Sequence, residues 1–132
     1  MVIFDRSILI DHLRTDCHAE RIAALDEWVR TSAVVLAELW RGAATQAEQA
    51  FLRALERQHP ILTPTEKGWL ESGQILRKMH RDRGFEPKKL RDLHFDVLIA
   101  LTARAHGARL ITSNQADFEL IREYRQFRLE VW

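Results

Sequence analysis

The feature that most constrains this chain stands at its beginning. The short apolar run Val2-Ile3-Phe4 ends abruptly in Asp5, and Arg6 and Ser7 follow. A run this short, without polar alternation, is typical of a strand buried on both faces of a sheet. Asp5 then lies at the carboxyl end of the strand, the edge where open α/β sheets bind ligands. Further acids at this edge would indicate a metal-dependent hydrolase.

The size and composition of the chain predict a single soluble domain spanning residues 1–132. Hydrophobic residues make up 46% of the chain, and no apolar run approaches the ~18 residues needed to cross a membrane. Asp5 and Arg6 interrupt the pattern of a signal peptide. Cys17 is the only cysteine and cannot form an internal disulfide. We therefore expect a cytoplasmic protein with no membrane partner.

Strand-like and helix-like segments alternate along the sequence. The apolar spacing and the cap residues predict strands at 2–4, 31–35, 59–63, 108–112 and 127–131, and helices at 7–13, 19–30, 36–58, 64–83, 93–106 and 115–123. Thr63 is the predicted N-cap of the helix that begins at Pro64, and residues 84–91 are predicted to form a loop. This alternation indicates an α/β domain with a central, mostly parallel sheet of four to five strands.

Polar side chains follow three of these strands at the same sheet edge, and Asp5, after the first strand, is one of them. Glu38 lies in the first turn of the helix after the second strand, and Asn114 and Asp117 follow the fourth. Asp96 lies within a helix whose adjoining face is small and apolar, which indicates that it points inward. Two carboxylates about 4 Å apart repel by about 4 kcal/mol at an effective dielectric near 20. A cluster of this kind therefore requires a cation, and oxygen-only ligands favour Mg²⁺ or Mn²⁺, which could activate a water against a phosphodiester.

Each of these residues taken alone also has a structural interpretation. Asp5 is a favourable helix cap, and Glu38 is a favourable charge in a first helical turn. Asp96 could pair with an arginine, and Asn114 could cap a helix that carries an acid at its third position. The functional interpretation therefore rests on the combination of these residues.

Four segments in this order resemble the PIN-domain family, and within it the VapC-type toxins of bacterial toxin–antitoxin pairs. They are residues 3–10 (IFDRSILI), 34–42 (VVLAELWRG), 96–103 (DVLIALTA) and 110–118 (LITSNQADF). The resemblance implies a three-layer α/β/α fold and a metal-dependent endoribonuclease that hydrolyses RNA. It further implies a homodimer and a cognate antitoxin that covers the site.

The same resemblance assigns roles to individual positions. It implies that Asp5, Glu38 and Asp96 bind the metal. The family's fourth acidic position falls at Asn114, with Asp117 three residues later, so this chain departs from the pattern and the second metal is left open. The hydroxyl residues of the motifs, Ser7 and Thr112, match positions that steady the acids or a metal-bound water.

The stretch from Arg77 to Arg91 carries seven basic residues against two acidic ones and leads into the helix that bears Asp96. It could hold a phosphate backbone beside the acids, or it could be a solvated helix face. The candidate RNA-binding residues are Arg77, Arg81, Lys88, Lys89 and Arg91. No row of aromatic residues indicates base stacking, so the sequence does not predict which RNA is cut.

Two other functions compete with a ribonuclease toxin. The first is a non-catalytic RNA- or protein-binding domain of the same fold, which Asn114 leaves open. The second is a phosphoacceptor signalling domain, which would need an acceptor aspartate ending a central strand and a lysine ending a later one. Asp96 lies in a helix and the last strands lack that lysine.

Overall fold

Strands and helices alternate along the whole chain. The computed structural model describes all residues from Met1 to Trp132. Its elements are β1 (Val2–Phe4), α1 (Arg6–Thr15), α2 (Ala19–Ala23), β2 (Val29–Ser32), α3 (Ala33–Gly42), α4 (Gln46–Gln58), β3 (Ile61–Leu62), α5 (Glu66–Arg83), α6 (Pro87–Ala105), β4 (Arg109–Thr112), α7 (Gln115–Tyr124) and β5 (Arg128–Val131). Helices flank a central sheet, so the predicted three-layer α/β/α class is confirmed.

The sheet has five strands in the order β3-β2-β1-β4-β5, and every adjacent pair is parallel. Strand β1 lies in the middle, where Ile3 pairs with Arg30 of β2 on one side and with Leu110 of β4 on the other. After β3 the chain crosses to the other side of β1 and continues as β4 and β5, so the strand order changes direction between β1 and β4. In open α/β sheets, the crevice at the carboxyl ends of such neighbouring strands is where ligands bind.

One apolar core of 23 buried residues lies around the central strand. All three residues of β1 are buried, as its unbroken apolar sequence predicts. The longest buried stretch is Val97–Ala103 of α6. Asp96 directly precedes this stretch, and its position is therefore set by a helix embedded in the core. None of the helices is long and apolar enough to cross a lipid bilayer.

Two helices begin at residues other than those predicted. Helix α6 begins at Pro87, so the predicted loop at 84–91 is wrong over most of its length. Proline at the first helical position lacks only an N–H that would have no partner there. Helix α5 is capped by Thr65, whose hydroxyl accepts from the Gly68 N–H at 2.9 Å, and not by Thr63.

The region around β2 also differs from the prediction. The strand ends at Ser32, because the Ser32 hydroxyl accepts from the N–H groups of Val34 and Val35 and starts α3 there. The predicted helix at 36–58 is two helices, since α3 ends at Gly42 and Thr45 caps α4. The predicted helix at 19–30 shortens to Ala19–Ala23.

Candidate active site

Asp5 lies at the carboxyl end of the central strand, and two hydroxyl groups hold its side chain. Ser7 Oγ donates to Asp5 Oδ2 at 2.9 Å, and Thr112 Oγ1 donates to the same oxygen at 2.8 Å. The two hydroxyl oxygens lie 3.3 Å from each other. Only 4% of Asp5 is exposed. The carboxylate therefore has a fixed orientation at the junction of β1 and β4.

The structural interpretation of Asp5 as a helix cap is not borne out by its side-chain contacts. Asp5 occupies the N-cap position of α1, but its carboxylate accepts no hydrogen bond from the helix N–H groups. Its Oδ1 accepts no hydrogen bond from any other side chain. This leaves one oxygen of a fixed, negatively charged group for an external ligand.

Glu38 lies in the middle of α3 and not in its first turn as predicted, because the helix already begins at Ala33. Its side chain is only 9% exposed. Its Oε1 is buried and has no hydrogen-bond partner, and its Oε2 lies 3.9 Å from Arg6 Nη1. Burial raises the pKa of this carboxyl group; Arg6 opposes that shift and the charge of Asp5 adds to it. A buried acceptor without a partner is costly to a fold, and a cation or hydrogen-bond donor at this oxygen would remove that cost.

Asp96 makes no hydrogen bond and no ion pair through its side chain, so the arginine partner that would give it a purely structural role is absent. Burial raises the pKa of Asp96 to about 8, with further contributions from the negative charges of Asp5, Glu38 and Asp117. Arg6 opposes this shift. A carboxyl group that senses three other acids in this way lies in a shared negative field with them.

The acids affect one another's pKa values but do not form a tight cluster of ligand atoms. One group of three possible metal ligands has all of its ligand atoms within 4.8 Å of one another. It consists of Asp11, Cys17 and His18. Asp5, Glu38 and Asp96 are spaced more widely than this. Their convergence is therefore seen in the electrostatic coupling of their pKa values and not in direct contact.

Asn114 and Asp117 lie at the beginning of α7 and are bound to each other. Asn114 is the N-cap, its Oδ1 accepts from the Asp117 N–H at 3.5 Å, and its Nδ2 donates to Asp117 Oδ2 at 3.1 Å. Lys89 Nζ donates to the other carboxylate oxygen of Asp117 at 3.4 Å. The capping role is thus present, while Asp117 still contributes to the field at Asp96.

The predicted basic residues lie on α5 and α6 and differ in their contacts. Lys89 reaches the acidic edge through Asp117, whereas Lys88 pairs with Asp92 at 3.8 Å on its own helix. Arg81 is paired with its neighbour Asp82 at 2.8 Å. Arg77 and Arg91 are exposed and form no ion pair. These last two are the cations of the set that remain available to an anionic ligand.

The donors around the acidic region fit a hard divalent cation. They are carboxylate oxygens, one of which is a buried acceptor without a partner, and no thiol or imidazole ligand stands among them. Mg²⁺ and Mn²⁺ prefer such oxygen ligands. Asp5, Glu38 and Asp96 are the side chains that could hold the ion.

Two features of the structure are not predicted from the sequence. Arg6, the first residue of α1, lies against Glu38, and its positive charge opposes the rise in the pKa values of Glu38 and Asp96. Its position directly after Asp5 is the signal that could have revealed it. The group formed by Asp11, Cys17 and His18 was also not predicted.

Comparisons with known proteins agree with this architecture. The family model described as "PIN domain" matches residues 2–124. The VapBC2 complex of Rickettsia felis, bound to a DNA fragment from its promoter, includes a chain with 24% identity and a TM-score of 0.74, and the match covers 100% of this chain and 99% of that one. A toxin–antitoxin complex from Klebsiella pneumoniae gives 25% identity and a TM-score of 0.63, with coverage of 89% and 90%.

FitAB bound to an IR36 DNA fragment gives 20% identity and a TM-score of 0.68, with coverage of 99% of this chain and 94% of that one. No curated protein sequence matches at a significant level. The family model spans nearly the whole chain and includes Asp5, Glu38, Asp96, Asn114 and Asp117. The chain therefore belongs to the PIN-domain family.

Proposed function

We propose that this protein is a metal-dependent endoribonuclease and the toxin of a toxin–antitoxin pair. The observation that carries the proposal is the setting of Asp96, a buried side chain with no internal partner, whose pKa is raised to about 8 by burial and by the negative charges of Asp5, Glu38 and Asp117. A cluster of this kind has no evident structural role. Its position at the carboxyl end of β1 supports a binding role.

We propose that Asp5, Glu38 and Asp96 bind Mg²⁺ or Mn²⁺. When bound, such an ion would orient and acidify a water and neutralise charge on the scissile phosphate. Residues of the chain itself would hold the ligands of this ion in position. Ser7 and Thr112 fix the Asp5 carboxylate through hydrogen bonds of 2.9 and 2.8 Å, and a fixed ligand costs less to organise when the ion arrives.

Asn114 and Asp117 are proposed as further site residues. Asp117 adds negative charge near Asp96, and Asn114 holds it in place at 3.1 Å. Because Asn114 is neutral and its side chain is already engaged with Asp117, one strong metal site is better supported than two. Lys89, which contacts Asp117, is then a cation that could meet a phosphate at this edge.

RNA is the proposed substrate, held by Arg77, Arg81, Lys88, Lys89 and Arg91. These residues precede Asp96 along the chain on α5 and α6. Arg77 and Arg91 are exposed and carry no ion pair, so they lose no existing interaction when they meet a phosphate. Binding of this type would depend on salt and would contribute little sequence preference.

We propose an antitoxin as the protein partner, and a homodimer as the assembly. The toxin–antitoxin complexes among the structural neighbours support the first. A cleft of about 280 Å³ between α1, α3 and α4 combines apolar walls, including Leu39 and Phe51, with Arg6 and Glu38. An amphipathic partner segment in this cleft would reach the acidic edge. Exposed Trp69 and Leu70, at 50% and 65%, offer apolar surface for a second copy.

A non-catalytic RNA- or protein-binding domain of the same family is the alternative, and the asparagine at position 114 is the observation that favours it. The retention of all three remaining acids argues against it. We also propose that residues 1–132 fold as one domain and act in the cytoplasm.

The test is cleavage of RNA by the purified protein with and without EDTA, beside Asp5→Asn and Asp96→Asn. Asp92→Asn is the matched control, because Asp92 lies one turn before Asp96 on the same helix but is exposed and paired with Lys88. We expect EDTA to abolish cleavage, added Mg²⁺ or Mn²⁺ to restore it, and only the control variant to remain active. Cleavage undiminished by EDTA would reject the proposal.

A further inference from the structure

A second group of metal-ligand side chains lies at the far end of α1, away from Asp5. We propose that Asp11, Cys17 and His18 form a binding site for a transition-metal ion of the Zn²⁺ class, distinct from the acidic site. One carboxylate oxygen of Asp11, the thiol sulfur of Cys17 and one ring nitrogen of His18 all lie within 4.8 Å of one another. Ligands at 2.0 to about 2.3 Å from a tetrahedral Zn²⁺ ion are about 3.3–3.8 Å apart, so side-chain movements of about an ångström would bring the three groups onto one ion.

An independent observation at His18 points to a ligand. The His18 side chain is nine-tenths buried, with 10% exposed, and its Nε2 has no hydrogen-bond partner. The nearest acceptor, Asp11 Oδ2, lies 3.5 Å away without hydrogen-bond geometry. Buried ring nitrogens are normally satisfied in folded proteins. The unsatisfied nitrogen faces the carboxylate that would share the ion with it.

The surrounding structure holds His18 in place. Its ring packs against Trp132, with 5.5 Å between ring centroids, and Trp132 packs in turn against Phe4 of β1 at 5.7 Å. The Trp132 backbone N–H donates to the Thr112 carbonyl at 2.8 Å. One ligand of the group is therefore anchored to the central sheet before any ion binds, which lowers the cost of organising the site.

The path of the chain brings the other two ligands together. Asp11 lies in α1, and the chain reverses after Thr15 through Asp16, which has a left-handed backbone with φ 52°. Cys17 and His18 follow at once, directly before α2. Cys17 is exposed and unpaired, so the site opens to solvent on the thiol side. Three protein ligands with one open side leave room for a water as the fourth ligand.

The chemistry of the donors separates this site from the acidic one. Thiolate and imidazole ligands favour Zn²⁺ over Mg²⁺, whereas the carboxylates of the acidic region favour Mg²⁺. An ion here would tie the C-terminal part of α1 to the turn before α2. Its effect would be on the stability of that segment, and it does not depend on RNA cleavage.

The experiment is a titration of the purified full-length protein, under reducing conditions, with Co²⁺ as the spectroscopic probe and Zn²⁺ as the competitor. Ligation by Cys17 gives a thiolate-to-cobalt charge-transfer band in the ultraviolet, and we expect it to saturate at one ion per chain and to vanish when Zn²⁺ is added. Cys17→Ser should abolish the band. Asp11→Asn and His18→Gln should weaken binding by more than the roughly tenfold that loss of an outer group costs.

Two control variants make the result specific. Asp5→Asn alters the acidic site and should leave the band unchanged. Asp16→Asn removes a nearby carboxylate that is not among the proposed ligands. Asparagine also tolerates the left-handed backbone of this position, so the variant should fold and leave the band unchanged. Circular dichroism identifies any variant that fails to fold. Asp11→Asn, at a partly exposed position, keeps the test valid if His18→Gln is unfolded.

Three results would overturn the proposal. The first is the absence of a charge-transfer band in the folded wild-type protein. The second is a band of equal affinity in both Asp11→Asn and His18→Gln, which would mean that the exposed thiol binds cobalt alone. The third is saturation at one ion per two chains, which would mean that Cys17 residues of two copies share the metal.

Discussion

Thr112 Oγ1 donates a 2.8 Å hydrogen bond to Asp5 Oδ2 across a sequence separation of 107 residues. The bond joins the carboxyl ends of β1 and β4. These are the two neighbouring strands at which the strand order of the sheet changes direction. The same Thr112 oxygen accepts from the Asn114 N–H at 2.9 Å. A single hydroxyl group thus fixes the acid on the central strand and the turn that leads to α7.

Thr112→Val tests this link. The change removes the donor to Asp5 and the acceptor for Asn114 while keeping the shape of the side chain. We expect RNA cleavage to fall by roughly ten- to a hundredfold, as for other groups that orient metal ligands. The free energy of unfolding should fall by about 1–3 kcal/mol, because a buried acid loses a hydrogen bond.

Thr112→Ser keeps the hydroxyl and should retain most of the activity. Ser113→Ala is the control, since Ser113 is exposed and its side chain makes no hydrogen bond. If Thr112→Val cleaved RNA at the wild-type rate, orientation of Asp5 by this hydroxyl would be unimportant.

The raised pKa of Asp96 predicts how stability depends on pH when divalent ions are removed by EDTA. In the folded state the pKa is about 8, whereas in the unfolded state it returns to its ordinary value of 3.8. Between these values the folded chain holds the proton and the unfolded chain does not. The contribution of Asp96 to the free energy of unfolding therefore decreases as the pH rises from about 4 to about 8.

Asp96→Asn should remove this contribution, so that the variant is more stable than the wild type at pH 8 by an amount on the order of a few kcal/mol. The two proteins should differ little near pH 4. Denaturant unfolding at a series of pH values measures the difference directly. If the difference in stability between the two proteins did not change with pH, the raised pKa of Asp96 in the folded state would be contradicted.

The extent to which the sequence predicts this molecule depends on how local each signal is. Val2-Ile3-Phe4 predicts a buried strand because a short apolar run has few other uses, and the structure confirms it. The start of α6 was misplaced because Gly84 and Pro87 both favour a loop, whereas the proline instead occupies the first helical position. The contact of Arg6 with Glu38 joins residues far apart in sequence, and the one sequence signal for Arg6 is its position directly after Asp5.

The hydroxyl group that caps α5 can be tested by substitution. Thr65 Oγ1 accepts from the Gly68 N–H at 2.9 Å, whereas Thr63 Oγ1 donates to the Pro64 carbonyl at 3.1 Å and accepts from no helix N–H. Thr65→Ala should therefore reduce the free energy of unfolding by about 0.5–2 kcal/mol, and Thr63→Ala should change it little. Equal effects of the two substitutions in denaturant unfolding would show that the cap is placed incorrectly.

The basic residues of α5 and α6 can be tested by the salt dependence of RNA binding. Arg91 is exposed and unpaired, so Arg91→Ala should weaken binding and reduce the slope of log affinity against log salt by about one. Arg57→Ala is the control, because Arg57 is also exposed and unpaired but lies on α4. Equal loss of affinity in the two variants would indicate binding to net charge without a preferred surface.

The most direct test of the central claim is calorimetric titration of Mn²⁺ into the protein, in a Cys17→Ser background that removes the thiol of the second site. The account predicts that Asp5→Asn, Glu38→Gln and Asp96→Asn each weaken Mn²⁺ binding strongly, while Asp92→Asn, exposed one turn from Asp96, leaves it unchanged. Equal Mn²⁺ affinity in the parent protein and in all three acid variants would contradict a shared cation site at the end of the central strand.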